Sequence, residues 1–311
     1  MSETARAHAS LTTRAALLSV AIAAFLLVLK LAAAAATDSV AMLGSLADTA
    51  LDMVASLVTL LGVRVAAMPA DDDHRFGHGK AESLVALVQV GIIAVSAIGI
   101  GWRAVERLLD GEPTRDAGFG IAVSLAAMAA TLGLLAYQRS VIRRTQSVAI
   151  KTDHVHYQSD LLLNFAVIAA LVLDQYLGVT GADPVFGIAI AAWLLFGAVR
   201  ASGEAIDQLM DREWPEERRR SFARVAGSHP ASRGVHDLRT RTSGAHQFAQ
   251  FHIWVDPAMT VAEAHDVVEA IEARLARDFP GVEVLIHLDP EGQVDQPGNL
   301  LAETNLTPPE M

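Results

Sequence analysis

Long apolar runs separated by short polar breaks fill the first two thirds of the chain. The runs cover about 14–36, 40–66, 82–108, 117–137, 153–177 and 184–207. A helix needs roughly 20 predominantly apolar residues to cross a bilayer's hydrocarbon, so the pattern predicts six transmembrane helices. The breaks between them carry turn and loop signals. Asp38 and Ser39 interrupt the first pair, and a polar loop runs from Pro69 to Lys80. Gly111-Glu112-Pro113 reads as a turn. A basic connector follows from Gln138 to Lys151, then a tight loop from Gly178 to Asp183. Pro184 suits the first turn of the sixth helix, where no backbone N–H is needed. Lys30 falls near the far end of the first run and is expected to snorkel to the interface.

From about residue 212 the pattern changes to that of a water-soluble domain. Pro215 followed by Glu216 and Glu217 opens a helix reaching about Ser228. Val235–Thr242 and Gln247–Val255 read as strands joined by a Ser-Gly turn. Thr260 and Glu263 form a capping-box pair that opens a helix to about Arg277. Val282–Leu288 is a third strand. The order αββαβ predicts a small α+β layer with both helices on one face of the sheet. The expected organisation is a transmembrane domain over 1–211, a water-soluble domain over 212–292, and a disordered tail over 293–311, where Pro, Gly, Asn and Thr concentrate.

Composition agrees with a polytopic α-helical membrane protein. Of 311 residues, 52% are hydrophobic and only 19% charged, too apolar for an ordinary soluble chain. The net charge of −11 argues against a nucleic-acid partner. The connectors after spans two and four hold Arg75, Lys80, Arg139, Arg143, Arg144 and Lys151, whereas the others hold almost no Lys or Arg beyond Arg115. The positive-inside rule then places both termini in the cytoplasm, and the expected location is the cell inner (plasma) membrane. The first twenty residues lack a short apolar core with a cleavage site and do not read as a cleavable signal peptide.

The absence of cysteine leaves His, Asp, Glu and backbone oxygen as the only metal ligands. Asp48 and Asp52 lie four apart in the second run, and His156 and Asp160 four apart in the fifth. That spacing puts each pair on one helix face, one turn apart. Ionisable groups inside a span are expensive and mark ion paths or proton relays, while single polar residues also serve as interhelical glue. Together the four offer oxygen and nitrogen donors to a zinc-like dication. In the first polar loop, Asp71, His74 and His78 have ligand spacing, with a solvated acidic loop as the plain alternative. In the soluble part, His236, His252, His265, His287 and Asp289 sit on a helix or near strand ends, where they could converge on at least one metal site. Their individual alternative is an ordinary surface residue, which is the better reading for His229 and His246. No HExxH, GxSxG or phosphate-loop motif is present.

These stretches, namely Gly44–Asp52, Asp71–Glu82, His156–Asp160, His236–Arg241 and Ile286–Pro290, resemble the cation diffusion facilitator family, in particular its bacterial zinc/ferrous-iron efflux branch. The resemblance implies a homodimer of six-span protomers with a ferredoxin/metallochaperone-like cytoplasmic domain. It implies efflux of a divalent cation in exchange for protons. Zn2+ is the expected cargo and regulatory ion, with Cd2+ and Fe2+ possible and Co open. By position it makes Asp48, Asp52, His156 and Asp160 the transport site, and Asp71, His74 and His78 a loop site. It makes His236, His252, His265, His287 and Asp289 a binuclear site bridging the dimer, and Lys80 and Asp211 an interlocking salt bridge. Leu288 departs from relatives with a polar residue there, which is harmless if only the backbone carbonyl is used.

The expected mechanism is alternating access around one midplane site, where protons and metal compete for the same atoms. Two alternatives use the same residues. One is an intramembrane metalloenzyme that activates water. The other is a membrane-anchored metal sensor whose spans serve only as an anchor.

Overall fold

A computed structural model describes residues 3–37, 40–110, 118–177 and 182–292. The breaks expected at Asp38-Ser39 and Gly111–Pro113, most of the Gly178–Asp183 loop and the tail over 293–311 lie outside the described residues. The side chain of Asp48 does too. Six long helices come first: α1 (Glu3–Thr37), α2 (Val40–Ala66), α3 (Ala81–Asp110), α4 (Gly118–Thr145), α5 (Val148–Leu177) and α6 (Ala182–Leu209). Then follow α7 (Glu216–Ala226), β1 (Gly234–Ser243), β2 (His246–Val255), α8 (Val261–Asp278) and β3 (Val282–Pro290). The chain divides into two units: Ala7–Ile206, and Asp207–Met311 with Met1–Arg6.

In the first unit, α1, α2, α3, α4 and α6 are long and apolar enough to cross a membrane. α5 carries Lys151, Asp153 and Asp160 in its first half. The basic connector expected between the fourth and fifth spans is helix instead. α4 continues through Arg139, Arg143 and Arg144 to Thr145, and α5 begins at Val148. Arg143 and Arg144 thus occupy the last turn of α4, where the backbone dipole favours positive charge. Only Gln146 and Ser147 remain between the helices, and Gln146 takes a left-handed φ of 55° to make the turn.

Large apolar side chains such as Leu61, Val95, Phe196 and Val199 point outward, as lipid contact requires. Small residues recur on the inside, with Ala15, Ala16, Ala86, Ala97, Ala149 and Ala205 fully buried beside larger ones such as Ile93, Leu134 and Tyr157. Small side chains let helix backbones approach where lipid removes the hydrophobic drive between them. At Gly62 a Cβ would run into Val85, so α2 and α3 meet there only because the residue is glycine.

The second unit is a three-stranded sheet in the order β1-β2-β3, with β1 and β2 antiparallel and β2 and β3 parallel. α8 supplies the crossover that a parallel pair needs. It starts in the expected capping box: Thr260 accepts from the Glu263 backbone N–H, and Glu263 accepts from that of Thr260. Pro215 stands at the N-cap of α7, one place before its expected position. The core comprises Phe222, Phe251, Ile253, Ile271 and Leu275. The ring of Phe222 packs edge-on to Phe251 at 5.8 Å and tilted against Phe279 at 5.1 Å.

Candidate metal centre

α2 and α5 bring together the ligand-type residues of the membrane unit. Asp52 projects from α2; His156 and Asp160 are one turn apart on α5. His156 Nε2 lies 3.2 Å from Asp52 Oδ1 and 3.9 Å from Asp160 Oδ2. One ligand atom from each residue falls within 4.8 Å of the others. The imidazole is 5% exposed, and its Nε2 makes no hydrogen bond of good geometry. A buried imidazole nitrogen set between two carboxylates without a well-formed hydrogen bond is a costly arrangement for a resting protein and a suitable one for binding a dication. Three mixed oxygen and nitrogen donors fit a zinc-like ion better than magnesium or calcium, which favour oxygen alone.

A polar network one turn before His156 holds α5 in place, and nothing in the ligand spacing announces it. Asp153 is completely buried. Its Oδ2 accepts from Ser19 on α1 at 2.6 Å and from Gln138 on α4 at 2.8 Å. Its Oδ1 accepts from Gln89 on α3 at 3.1 Å, with Thr59 on α2 at 3.5 Å. Gln89 in turn donates to Thr59. Tyr157 adds a second tie, donating to the Ser19 carbonyl at 3.0 Å and lying 2.8 Å from the Ser56 hydroxyl on α2. The legible signal was a carboxylate three residues from His156 in an otherwise apolar helix, a position that demands partners.

The loop cluster stands on a local turn. Asp71 Oδ1 accepts the backbone N–H of His74 at 2.6 Å and that of Asp73 at 3.1 Å. The bond from the His74 N–H is the leading reason that the Asp71 carboxylate is held below the ordinary aspartate range. Gly77 takes a φ of 77°, which brings the chain back so that His78 Nε2 lies 3.3 Å from Asp71 Oδ2. His74 Nδ1 lies 3.2 Å from Asp71 Oδ1. His78 Nδ1 is buried without a hydrogen bond. Asp71, His74 and His78 therefore converge as the spacing suggested, at a more exposed place than the α2–α5 cluster.

In the second unit the strand register does the gathering. His236, His252 and His287 stand opposite one another on β1, β2 and β3, forming one row across the sheet. Asp289 lies two residues beyond His287 and so shares its face. Its Oδ2 is 3.1 Å from His236 Nε2 and 2.9 Å from His252 Nδ1, and its Oδ1 is 3.3 Å from His287 Nε2. The structure does not bring His265 into this group. It is exposed on α8 and pairs with Glu269 one turn on, at 3.3 Å.

Sequence reading missed Asp237. A bulge after His236 puts Asp237 in the left-handed region at φ 47°, with its Oδ2 3.8 Å from His252 Nε2. Arg239 clamps the Asp237 carboxylate through two nitrogens. The two proposed salt-bridge partners belong to different units. Lys80 immediately precedes α3, and Asp211 lies after α6 with Arg241 3.6 Å from its carboxylate.

The chain is similar to known proteins along nearly its whole length. The cation efflux transmembrane domain matches residues 16–210, and the cytoplasmic domain of cation efflux proteins matches 214–291. The cation-efflux pump FieF of Serratia proteamaculans is 44% identical over 283 residues, spanning 91% of this chain and 94% of the relative. That of Escherichia fergusonii is 41% identical over 293 residues, spanning 94% and 97%. A solved chain of CzrB in its Zn form is 35% identical, covering 28% of this chain and 100% of its own at a TM-score of 0.25. Efflux-pump relatives of near-full length exclude the metalloenzyme alternative. A buried ligand cluster between apolar helices, an α+β domain that follows them in the chain, and the family and efflux-pump matches lead to one assignment: the chain belongs to the cation efflux, or cation diffusion facilitator, family and is a multi-pass transporter of divalent metal cations, not an enzyme.

Proposed function

We propose that the chain exports Zn2+, with Cd2+ and Fe2+ as further substrates, in exchange for protons. The transport site is Asp52, His156 and Asp160, completed by Asp48, whose place four residues before Asp52 puts it one turn away on the same helix. The observation that carries this reading is the convergence of Asp52, His156 and Asp160 from two helices on a point where His156 Nε2 has no hydrogen bond. In the inward-facing state the metal exchanges its hydration water for these donors. In the outward-facing state protons take the same atoms, and the exchange follows from competition at one site. Rocking of the helices about this fixed point supplies alternating access.

The protein works as a homodimer in the cell inner membrane, with both termini and the domain from about 212 to 292 in the cytoplasm. Asp71, His74 and His78 bind metal at the loop. His236, His252, His287 and Asp289 bind it on the sheet, and His265 joins only across a dimer contact. Lys80 and Asp211 form an interlocking pair near that contact. Occupied tail sites bias the transport equilibrium to the extent that metal binds its two states with different affinity.

The test is Zn2+ uptake by everted vesicles under an imposed pH gradient. Uptake should need the gradient and fall to background in Asp52→Ala and Asp160→Ala. Undiminished flux in either variant refutes the site, and flux indifferent to the gradient refutes the antiport. A membrane-anchored sensor predicts no flux at all.

A further inference from the structure

Lys30 is a positive charge within the first apolar run, where a lysine is expected to reach for the interface. The structure turns it inward. Its ammonium donates to Thr49 Oγ1 on α2 at 2.7 Å. Thr49 is buried, follows Asp48 directly, and stands one turn before Asp52. Lys30 itself is only partly exposed. A cation from α1 therefore borders a cluster whose ligands come from α2 and α5.

We propose that Lys30 is the tethered counter-ion of the transport site, offsetting the carboxylates when the metal has left and repelling the metal while it is bound. This rests on the reading of Asp52, His156 and Asp160 as that site. Carboxylates at this depth need a compensating charge in every state of the cycle. The metal supplies it in one state, and a lysine fixed to the neighbouring turn supplies part of it in the others. The hydrogen bond to Thr49 keeps the ammonium beside the site without making it a permanent partner of one ligand. A site that bound its cargo with no opposing charge would release it slowly.

The sign of the effect separates this role from simple packing of α1 on α2. With a 2.7 Å bond to Thr49 and Thr49 one helical turn from Asp52, the ammonium would stand on the order of 8 Å from an ion held by Asp52. At that distance, repulsion between a monocation and a dication weakens binding roughly fivefold even at the dielectric of water, and more inside a protein. Removing the charge should tighten metal binding, whereas removing a packing contact should weaken it or leave it alone.

The experiment measures Zn2+ transport by the full-length protein in proteoliposomes at a fixed pH gradient. Lys30→Met and Lys30→Gln are compared, the second keeping a donor for Thr49. Both should lower KM at least fivefold and lower kcat, and Lys30→Arg should restore both constants. A KM unchanged or raised in the two neutral variants overturns the proposal, as does failure of Lys30→Arg to rescue. Should Lys30→Met fail to fold, Lys30→Gln carries the comparison. Asp52→Ala in the same series separates the two readings: if it transports normally the site itself is wrong, and if it is inactive while the neutral variants keep the wild-type KM, only the counter-ion role fails.

Discussion

Replacing Asp153 tests whether a buried carboxylate ties the membrane unit together. Asp153→Ala removes the acceptor of two well-formed bonds, from Ser19 at 2.6 Å and Gln138 at 2.8 Å, and a third from Gln89 at 3.1 Å. The 3.5 Å approach of Thr59 is too long to count. Hydrogen bonds to a charged group are worth about 1.5–3 kcal/mol each, which would sum to more than 4 kcal/mol. Two effects reduce that figure. Ser19 still donates to the Ala15 carbonyl, and Gln138 still donates to Ser19, so neither is orphaned. Deleting the carboxylate also removes the cost of keeping a charge out of water. The expected net loss is therefore about 2–3 kcal/mol.

Asp153→Asn should cost less than about 1 kcal/mol. Its oxygen can accept from Ser19 and Gln138, and its new amide can donate to Gln89 if that side chain flips, because Gln89 Oε1 is buried without a hydrogen bond. The assay is reversible unfolding of the full-length protein in mixed micelles, with Zn2+ transport measured in parallel. An alanine variant as stable as wild type, or an asparagine variant less stable than alanine, would refute the picture of a neutral-donor cage.

In the cytoplasmic domain, Phe222→Ala should cost about 3–5 kcal/mol, because a fully buried ring in contact with Phe251 and Phe279 leaves a cavity. Hydrogen exchange on the full chain should rise across α7 and the β1–β2 pair. Thr260→Ala should remove about 1 kcal/mol from α8 through loss of the cap, read as faster exchange in its first turn. Glu263 supplies the associated pH dependence. The Thr260 backbone N–H and then its hydroxyl hold the Glu263 carboxylate below the ordinary glutamate range. The folded pKa is lower than the unfolded one, so this stabilisation is complete above the ordinary value and disappears as pH falls through the folded value. Protection of the first turn of α8 should decline over that acid range, and the decline should shrink only in part in Thr260→Ala, which keeps the backbone N–H and loses the hydroxyl.

Sequence by itself determined what depends on spacing along one element. Runs long enough to cross a bilayer gave the helical membrane part, and a change to alternating positions gave the αββαβ order. Short spacings put His156 beside Asp160, four apart, and Asp71 with His74 and His78, three and seven apart, because those contacts lie within one helix turn or one short loop. Thr260 and Glu263 likewise found each other across three residues. Tertiary structure decided what depends on which elements meet. The strand register aligned His236, His252 and His287 and left His265 outside, since nothing along α8 says which way it faces across the sheet. A bulge carried Asp237 toward His252. Four helices had to converge before the buried Asp153 could be satisfied. Lys30 could be turned toward α2 only by packing, because snorkelling and an inward hydrogen bond look identical along a single apolar run. Periodicity reports which face of an element is polar, and only three-dimensional packing says what that face meets.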